Sequence, residues 1–244
     1  MIKDDYTVQS NQKIAKGIFE MKLSGDTSAL TAPGQFVDIA LDGFYLRRPI
    51  SVCDYTSGSM TIIYKTVGQG TEKMATIKAG EKLDLLTGLG NGFDTAASGS
   101  RPLVIGGGVG VPPMYGLTRK LAAEGKDPVV VMGFQSSDDI FYTEQFRSLG
   151  VQLLVTTADG SAGISGFVTD AFAQAGEYTY FYACGPVPML KAVYDNTCTG
   201  GQLSFEERMG CGFGACMGCS CKTKYGNKRI CRDGPVLLKE EIIW

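Results

Sequence analysis

A chain of 244 residues with 44% hydrophobic and 20% charged side chains has the make-up of a globular protein long enough for two compact domains. Its formal charge of -2 supplies no basic field, which argues against a nucleic-acid partner, and the absence of histidine removes imidazole as a general base or triad member. The opening MIKDDYTVQSNQKIAKG holds no apolar core of signal-peptide length, and no window reaches the roughly 18 consecutive apolar residues of a membrane span, so a cytoplasmic location is expected.

The first hundred residues read as short strands rich in Ile, Val, Phe, Tyr and Thr: KIAKGIFEMKL, QFVDIAL, RRPISVCDY, SMTIIYKTV and EKLDLLTGL, punctuated by Gly, Asp, Ser and Pro. Their spacing predicts an all-β unit over 1–98, a small antiparallel barrel or sandwich. One helix interrupts it in GQGTEKMATIKAG, beginning after Gly70 and Thr71, placing Met74 and Ile77 on one face and stopping at Gly80. From residue 101 the rhythm becomes strand, glycine-rich turn, helix. RPLVIGGG, PVVVMGF, VQLLVTTADG and YTYFYACGP read as buried strands; PPMYGLTRKLAAEG, VTDAFAQAG and PVPMLKAVYDN read as helices. The alternation predicts a Rossmann-like parallel α/β unit over 99–201, followed by a segment, 202–244, short on strands and dense in Cys and Gly.

Five of the eight cysteines lie between 211 and 231. In a reducing compartment such a cluster asks for a metal rather than disulfides. Cys211, Cys216 and Cys219 have the C-x4-C-x2-C spacing of plant-type 2Fe-2S sites, whose fourth ligand arrives from farther along. Cys231 is taken for that role. Cys221 competes for it, but lies only two residues past Cys219, too near to join the three earlier thiols in a tight tetrahedral site. Gly210, Gly212, Gly214 and Gly218 let the loop wrap closely and aim N–H groups at sulfur. Zinc is the competing occupant, since four thiolates hold it well; zinc motifs usually present two separated C-x2-C knuckles, and only one is present.

Two further stretches suit nucleotides. Arg48-Pro49-Ile50-Ser51 can set a guanidinium and a hydroxyl beside a phosphate-bearing ligand, and Gly70-Thr71 opens a helix whose amides suit a pyrophosphate. A rim arginine and a capped turn are the plainer reading of the same residues. LVIGGGVGVPPM places Gly106, Gly107, Gly108 and Gly110 between a strand and a helix, where phosphates can approach the backbone, though Val111 stands at the third position of the full glycine fingerprint. YACGPVPML repeats the geometry at the carboxyl edge of the same sheet, with Cys184 equally readable as a small buried hydrophobe.

In this order the pieces resemble the ferredoxin-NADP reductase superfamily and, with the C-terminal RMGCGFGACMGCSCK and CRDGPV, its iron-sulfur electron-transfer subunits of class 1B, NAD-dependent dihydroorotate dehydrogenase. The resemblance runs end to end. It implies an FAD-binding barrel, an NAD-binding α/β domain and a 2Fe-2S segment. By that likeness Arg48, Pro49, Ile50 and Ser51 contact FAD, with Ile63, Tyr64 and Lys65 on the neighbouring strand and Gly70 and Thr71 at the pyrophosphate. Gly107, Gly108 and Gly110 border the nicotinamide nucleotide, with Cys184, Gly185 and Pro186 near its ring, and Cys211, Cys216, Cys219 and Cys231 hold the cluster. Ile50 departs from the tyrosine of the superfamily motif, and GFQSSDD offers no arginine for a 2'-phosphate, which favours NAD over NADP. No acid–base residue is expected on this chain. The implied partner is a catalytic FMN-containing dihydroorotate dehydrogenase subunit, two copies of each chain forming a heterotetramer that serves pyrimidine synthesis. The same architecture can serve another partner, such as a sulfide dehydrogenase, a transhydrogenase-like complex or a hydrogenase.

Overall fold

The computed structural model describes residues 1–244. Strands β1 (Ile2–Ala15), β2 (Ile18–Ser24), β3 (Phe36–Ile39), β4 (Arg48–Thr56), β5 (Ser59–Lys65) and β6 (Lys82–Leu89) close into an antiparallel barrel in the order β1-β2-β5-β4-β3-β6. Alternation drives it: in β2, Met21 and Leu23 are buried on either side of exposed Lys22, and Leu23 meets Tyr6, Val37, Ile62 and Leu85 in the barrel interior. The segment expected as a single strand, KIAKGIFEMKL, is instead a hairpin. Gly17, at φ +68°, turns the chain back so that Lys13 pairs with Phe19. The long β1 escapes a sequence reading because its solvent face carries Lys3, Asp5 and Gln9 while only Tyr6 and Val8 face inward. Helix α1 is a short turn, Gln69–Met74; Ile77 lies past its end yet still packs on the barrel core.

The second sheet has seven strands: β7 (Pro102–Gly107), β8 (Val129–Phe134), β9 (Gln152–Thr157), β10 (Ile164–Ser165), β11 (Tyr180–Cys184), β12 (Gly201–Ser204) and β15 (Val236–Leu238), in the order β10-β9-β8-β7-β11-β12-β15. All neighbours run parallel except β15, which pairs antiparallel with β12. Helix α2 (Val111–Ala123) opens with Pro112 and Pro113, where a missing N–H costs nothing, and covers one face with Met114, Leu117 and Leu121. The short α3 (Thr143–Ser148) buries Phe146 on the same face as α2, and the longer α5 (Val187–Asn196) buries Leu190 and Val193 on the opposite face. VTDAFAQAG, expected as one helix, is a 3-10 turn over Val168–Ala171 running into α4 (Phe172–Ala175).

The barrel and the sheet share one apolar seam. Ile18, Cys53 and Ile63 of the barrel pack with Met114 and Leu117 of α2, and the helix comes so near that a Cβ on Gly116 would stand 2.7 Å from the Cys53 carbonyl oxygen. Tyr142, left-handed at φ 65°, reaches across the seam to donate its hydroxyl to Glu20 Oε2 at 2.9 Å.

The C-terminal segment is tied to both bodies. Hairpin β13 (Ser220–Thr223) and β14 (Gly226–Arg229) leads into α6 (Ile230–Asp233), then β15 joins the sheet. Asn91, just past the barrel's last strand, grips this run. Its Nδ2 donates to Val236 O at 2.8 Å and Asp233 O at 3.3 Å, its Oδ1 accepts from Val236 N at 3.2 Å, and its own N–H donates to Gly234 O at 2.7 Å. Asn91→Ala removes the three side-chain bonds and leaves the Val236 N–H, on a buried residue, without that partner. The expected loss is about 1–3 kcal/mol in unfolding free energy, read from urea denaturation followed by circular dichroism.

Candidate functional site

The cysteine loop is assembled by the β13–β14 hairpin. Ser220 pairs with Arg229, so the chain returns beside its starting point and the Ile230 N–H donates to Cys219 O at 3.1 Å. Twelve residues of sequence separation thereby collapse to a 3.3 Å contact between the Cys219 and Cys231 sulfurs, with the Cys231 N–H aimed at Cys219 Sγ at 3.4 Å. Cys221 sits within the hairpin opposite Lys228, and its half-buried side chain packs on the sheet core.

Cys211 and Cys216 lie together in the other limb of the loop. Backbone N–H groups of Ala215 and Cys216 point at Cys211 Sγ, at 3.2 and 3.4 Å. Gly212 and Gly214 make this wrapping possible, with φ of +76° and +90°, and Met217 takes the same left-handed region at φ 61°. Around Cys216 the loop is bare: a Cβ on Gly210 or Gly218 would stand 3.2 or 3.5 Å from its sulfur.

Charge explains what such a loop asks for. Burial opposes ionisation of Cys211, but N–H donors from Cys216 and Phe213 outweigh it and hold the thiol down to about 6. Cys231 behaves oppositely: burial, then Cys219 and Cys211, push it up to about 12. Four thiolates therefore coexist here only around positive charge. Arg229 supplies a little: it donates to Gly214 O at 3.0 Å, is pinned by Asp233 at 3.0 Å, and its own ionisation is favoured by Asp233 first and by Cys231 and Cys219 after it. Cys219 and Cys231 thus present their sulfurs side by side, while Cys216 turns its N–H to the Cys211 sulfur on the other limb.

On the barrel, Arg48, Pro49, Ile50 and Ser51 are half-buried at the start of β4. The Arg48 guanidinium lies over the Phe44 ring at 4.6 Å and against Gly70, where any Cβ would displace it. Arg48 and Gly70 are thus neighbours, as the sequence reading expects of a shared ligand. The Thr71 hydroxyl is engaged inside the turn, accepting from Val67 N at 2.9 Å and donating to Gly68 O at 3.0 Å, which leaves main-chain groups to meet a phosphate. Ile63 and Tyr64 point into cores, Tyr64 stacking on Phe19 and donating to Asn11 Oδ1 at 2.9 Å, while Lys65 is exposed.

On the sheet, the two glycine turns meet where β7 and β11 end side by side. Gly110 lies so close to the Cys184 carbonyl that a side chain would collide with it, and Gly107, Gly185 and Pro186 close on Met189 or on one another. Cys184 is half-buried, its thiol pushed up to about 12 by burial, with Ser204 pulling the other way. At the end of β8, Ser136, Ser137, Asp138 and Asp139 present hydroxyls and carboxylates rather than a cation.

Two residues outside the sequence expectations join these sites. Asp38 of β3 is 2% exposed, and its Oδ1 has no hydrogen-bond partner. Burial pushes its carboxyl up to about 6 against the pull of Arg47, with Cys211 adding to the rise. Its signal is a lone charge in the apolar QFVDIAL. Asn91 carries no such signal, since its partners lie 142 to 145 residues away.

The chain is similar to known proteins along its whole length. Residues 206–243 match the iron-sulfur cluster binding domain of dihydroorotate dehydrogenase B, and residues 104–195 match the oxidoreductase NAD-binding domain. The dihydroorotate dehydrogenase B (NAD(+)) electron transfer subunit of Fusobacterium nucleatum is 41% identical, covering 98% of each chain, and that of Lysinibacillus sphaericus is 43% identical, covering 95% of each. The structure of an NADH-dependent reduced ferredoxin-NADP oxidoreductase superposes with a TM-score of 0.90 at 29% identity over 98% of this chain and 90% of that one. A ferredoxin NADP+ reductase from Neisseria gonorrhoeae shares the fold at a TM-score of 0.70 and 15% identity, over 80% of this chain and 89% of that one.

The hairpin register separates the two candidates for the fourth cluster ligand. Cys231→Ser is expected to lose most of the bound iron and acid-labile sulfide, and Cys221→Ser to keep both; colorimetric iron and sulfide assays of the purified variants decide it.

Proposed function

The chain belongs to the family of electron-transfer subunits of dihydroorotate dehydrogenase B (NAD(+)), and from that premise we propose how its residues divide the work. It is an NAD-dependent oxidoreductase subunit carrying FAD, a 2Fe-2S cluster and NAD, and it works with a catalytic partner subunit. The cofactors set the order of transfer: nicotinamide exchanges a hydride, an iron-sulfur centre one electron, and a flavin both, so FAD is the junction between them.

Each group of residues then has a task of binding or orientation. Arg48 and the Gly70 turn would hold the FAD phosphates, while Pro49, Ile50, Ser51 and the main chain of Ile63, Tyr64, Lys65 and Thr71 would frame the rest of that site. The neighbouring arginine and glycine support this reading. Gly107, Gly108 and Gly110 would admit the nicotinamide nucleotide to the backbone, with Cys184, Gly185 and Pro186 closing on its ring. The acidic Asp138 and Asp139 would repel a 2'-phosphate. Cys211 with Cys216, and Cys219 with Cys231, would each hold one iron.

By cofactor, the functional division runs 1–98 for FAD, 99–201 for NAD and 202–244 for the cluster. The observation that carries the proposal is the cysteine loop, with Cys219 and Cys231 sulfur to sulfur, resting against β3, whose partner strand β4 carries Arg48 and Ser51. The partner is proposed to be an FMN-containing subunit that oxidises dihydroorotate, two copies of each chain assembling in the cytoplasm. No helix of this chain is long and apolar enough to cross a membrane.

Co-purification from the native host tests the partner. The expected result is a dihydroorotate-oxidising flavoprotein whose mixture with this chain reduces NAD, with either subunit alone giving under a tenth of that rate. Recovery of a different partner, with no dihydroorotate-dependent NAD reduction, would contradict it.

A further inference from the structure

Asp38 is a buried carboxylate with no task in the account so far. Val37 and Ile39 point into the barrel core, so Phe36 and Asp38 occupy the outer face of β3. Phe36 packs in the same apolar cluster as Cys219 and Cys231. Asp38 faces the other limb of the loop: its Oδ2 lies against Gly212, where a Cβ would run into it, next to Cys211. Across the strand it pairs with Pro49, between Arg48 and Ser51.

The nearby cations do not quench this charge by direct contact. Arg47 donates to the main-chain oxygen of Asp38 at 3.2 Å, while its guanidinium pairs with Asp84 Oδ1 at 2.8 Å. Arg48 is turned toward Phe44 and Gly70. Asp38 Oδ1 is left unpaired although it is shielded from water, an arrangement that costs stability and calls for a compensating role.

We propose that Asp38 sets the reduction potential of the iron-sulfur centre, its carboxylate standing against the loop that carries Cys211 and opposing the arrival of an electron there. The step is a one-electron reduction in which no bond forms or breaks; the centre gains one negative charge beside a fixed one. In a partly buried site that repulsion acts through a low effective dielectric. The proposal rests on the reading of the cysteine loop as the cluster site, and iron content tests that reading separately.

The test uses the purified holoprotein with FAD and cluster in place, at mildly alkaline pH, with D38N and D38E variants and an EPR-monitored redox titration. D38N is expected to keep iron, sulfide and the EPR line shape while its midpoint potential rises by an amount worth about tenfold in the electron-transfer equilibrium, or about 59 mV for one electron. D38E, which keeps the charge, is expected to stay near the wild-type value. An unchanged potential in D38N, or an equal rise in D38E, overturns the proposal. Loss of iron from D38N, with or without its loss from D38E, overturns it too, because the carboxylate would then serve assembly of the loop. A wild-type protein that binds no iron and sulfide would instead contradict the cluster reading itself.

Discussion

The arrangement hangs on a strand of four residues covered on both faces. β3 is buried throughout, with Val37 and Ile39 filling the barrel while Phe36 and Asp38 meet the C-terminal segment. Its antiparallel neighbour β4 carries Arg48 and Ser51. One short strand therefore separates Arg48 and Ser51 from the cysteine loop. Removing the outer face of β3 from water requires the C-terminal segment to lie there, and Asn91, with four hydrogen bonds into residues 233–236, fixes it in place. The same contact that stabilises the fold brings the cysteine loop to the strand beside Arg48 and Ser51.

Within the loop, the chain prepares unequal thiols. Cys211 is stabilised as a thiolate by inward-pointing N–H groups, whereas Cys231 resists ionisation because burial and two neighbouring sulfurs work against it. A cationic centre held among them would reconcile the two, since it would offset the desolvation of the sulfurs. Arg229, held by Asp233 and bonded to Gly214 O, contributes a fixed charge on the same side. The two glycine turns differ from the loop in working by clearance: glycines at 107, 110 and 185 remove side chains where two parallel strands end together.

Much of this was legible wherever the signal is local. The 4-then-2 cysteine spacing, the glycine turn after an apolar strand and the proline-started helix each state their geometry within a dozen residues, and the barrel followed by a parallel sheet came out as the strand rhythm expects. Cys231 was legible only in part, because a hairpin register, not a spacing, brings it to Cys219. The hairpin at Gly17 and the long β1 were lost to a solvent face full of charge. Asn91 and the task of Asp38 were not legible at all, since each depends on what the fold places against it from 142 residues or more away. β15 belongs to the same class: its residues look like a tail until β12 offers them an edge.

The central claim is that electrons pass between the partner and the flavin, in either direction, through the cysteine loop on the far side of β3. Rapid freeze-quench EPR of the complete complex, mixed with NADH in the absence of oxygen, tests it most directly. The account predicts that flavin bleaching comes first, that the signal of a reduced 2Fe-2S centre follows, and that the partner's flavin is reduced only after that signal has appeared. Reduction of the partner's flavin while the iron-sulfur centre stays oxidised throughout would contradict it.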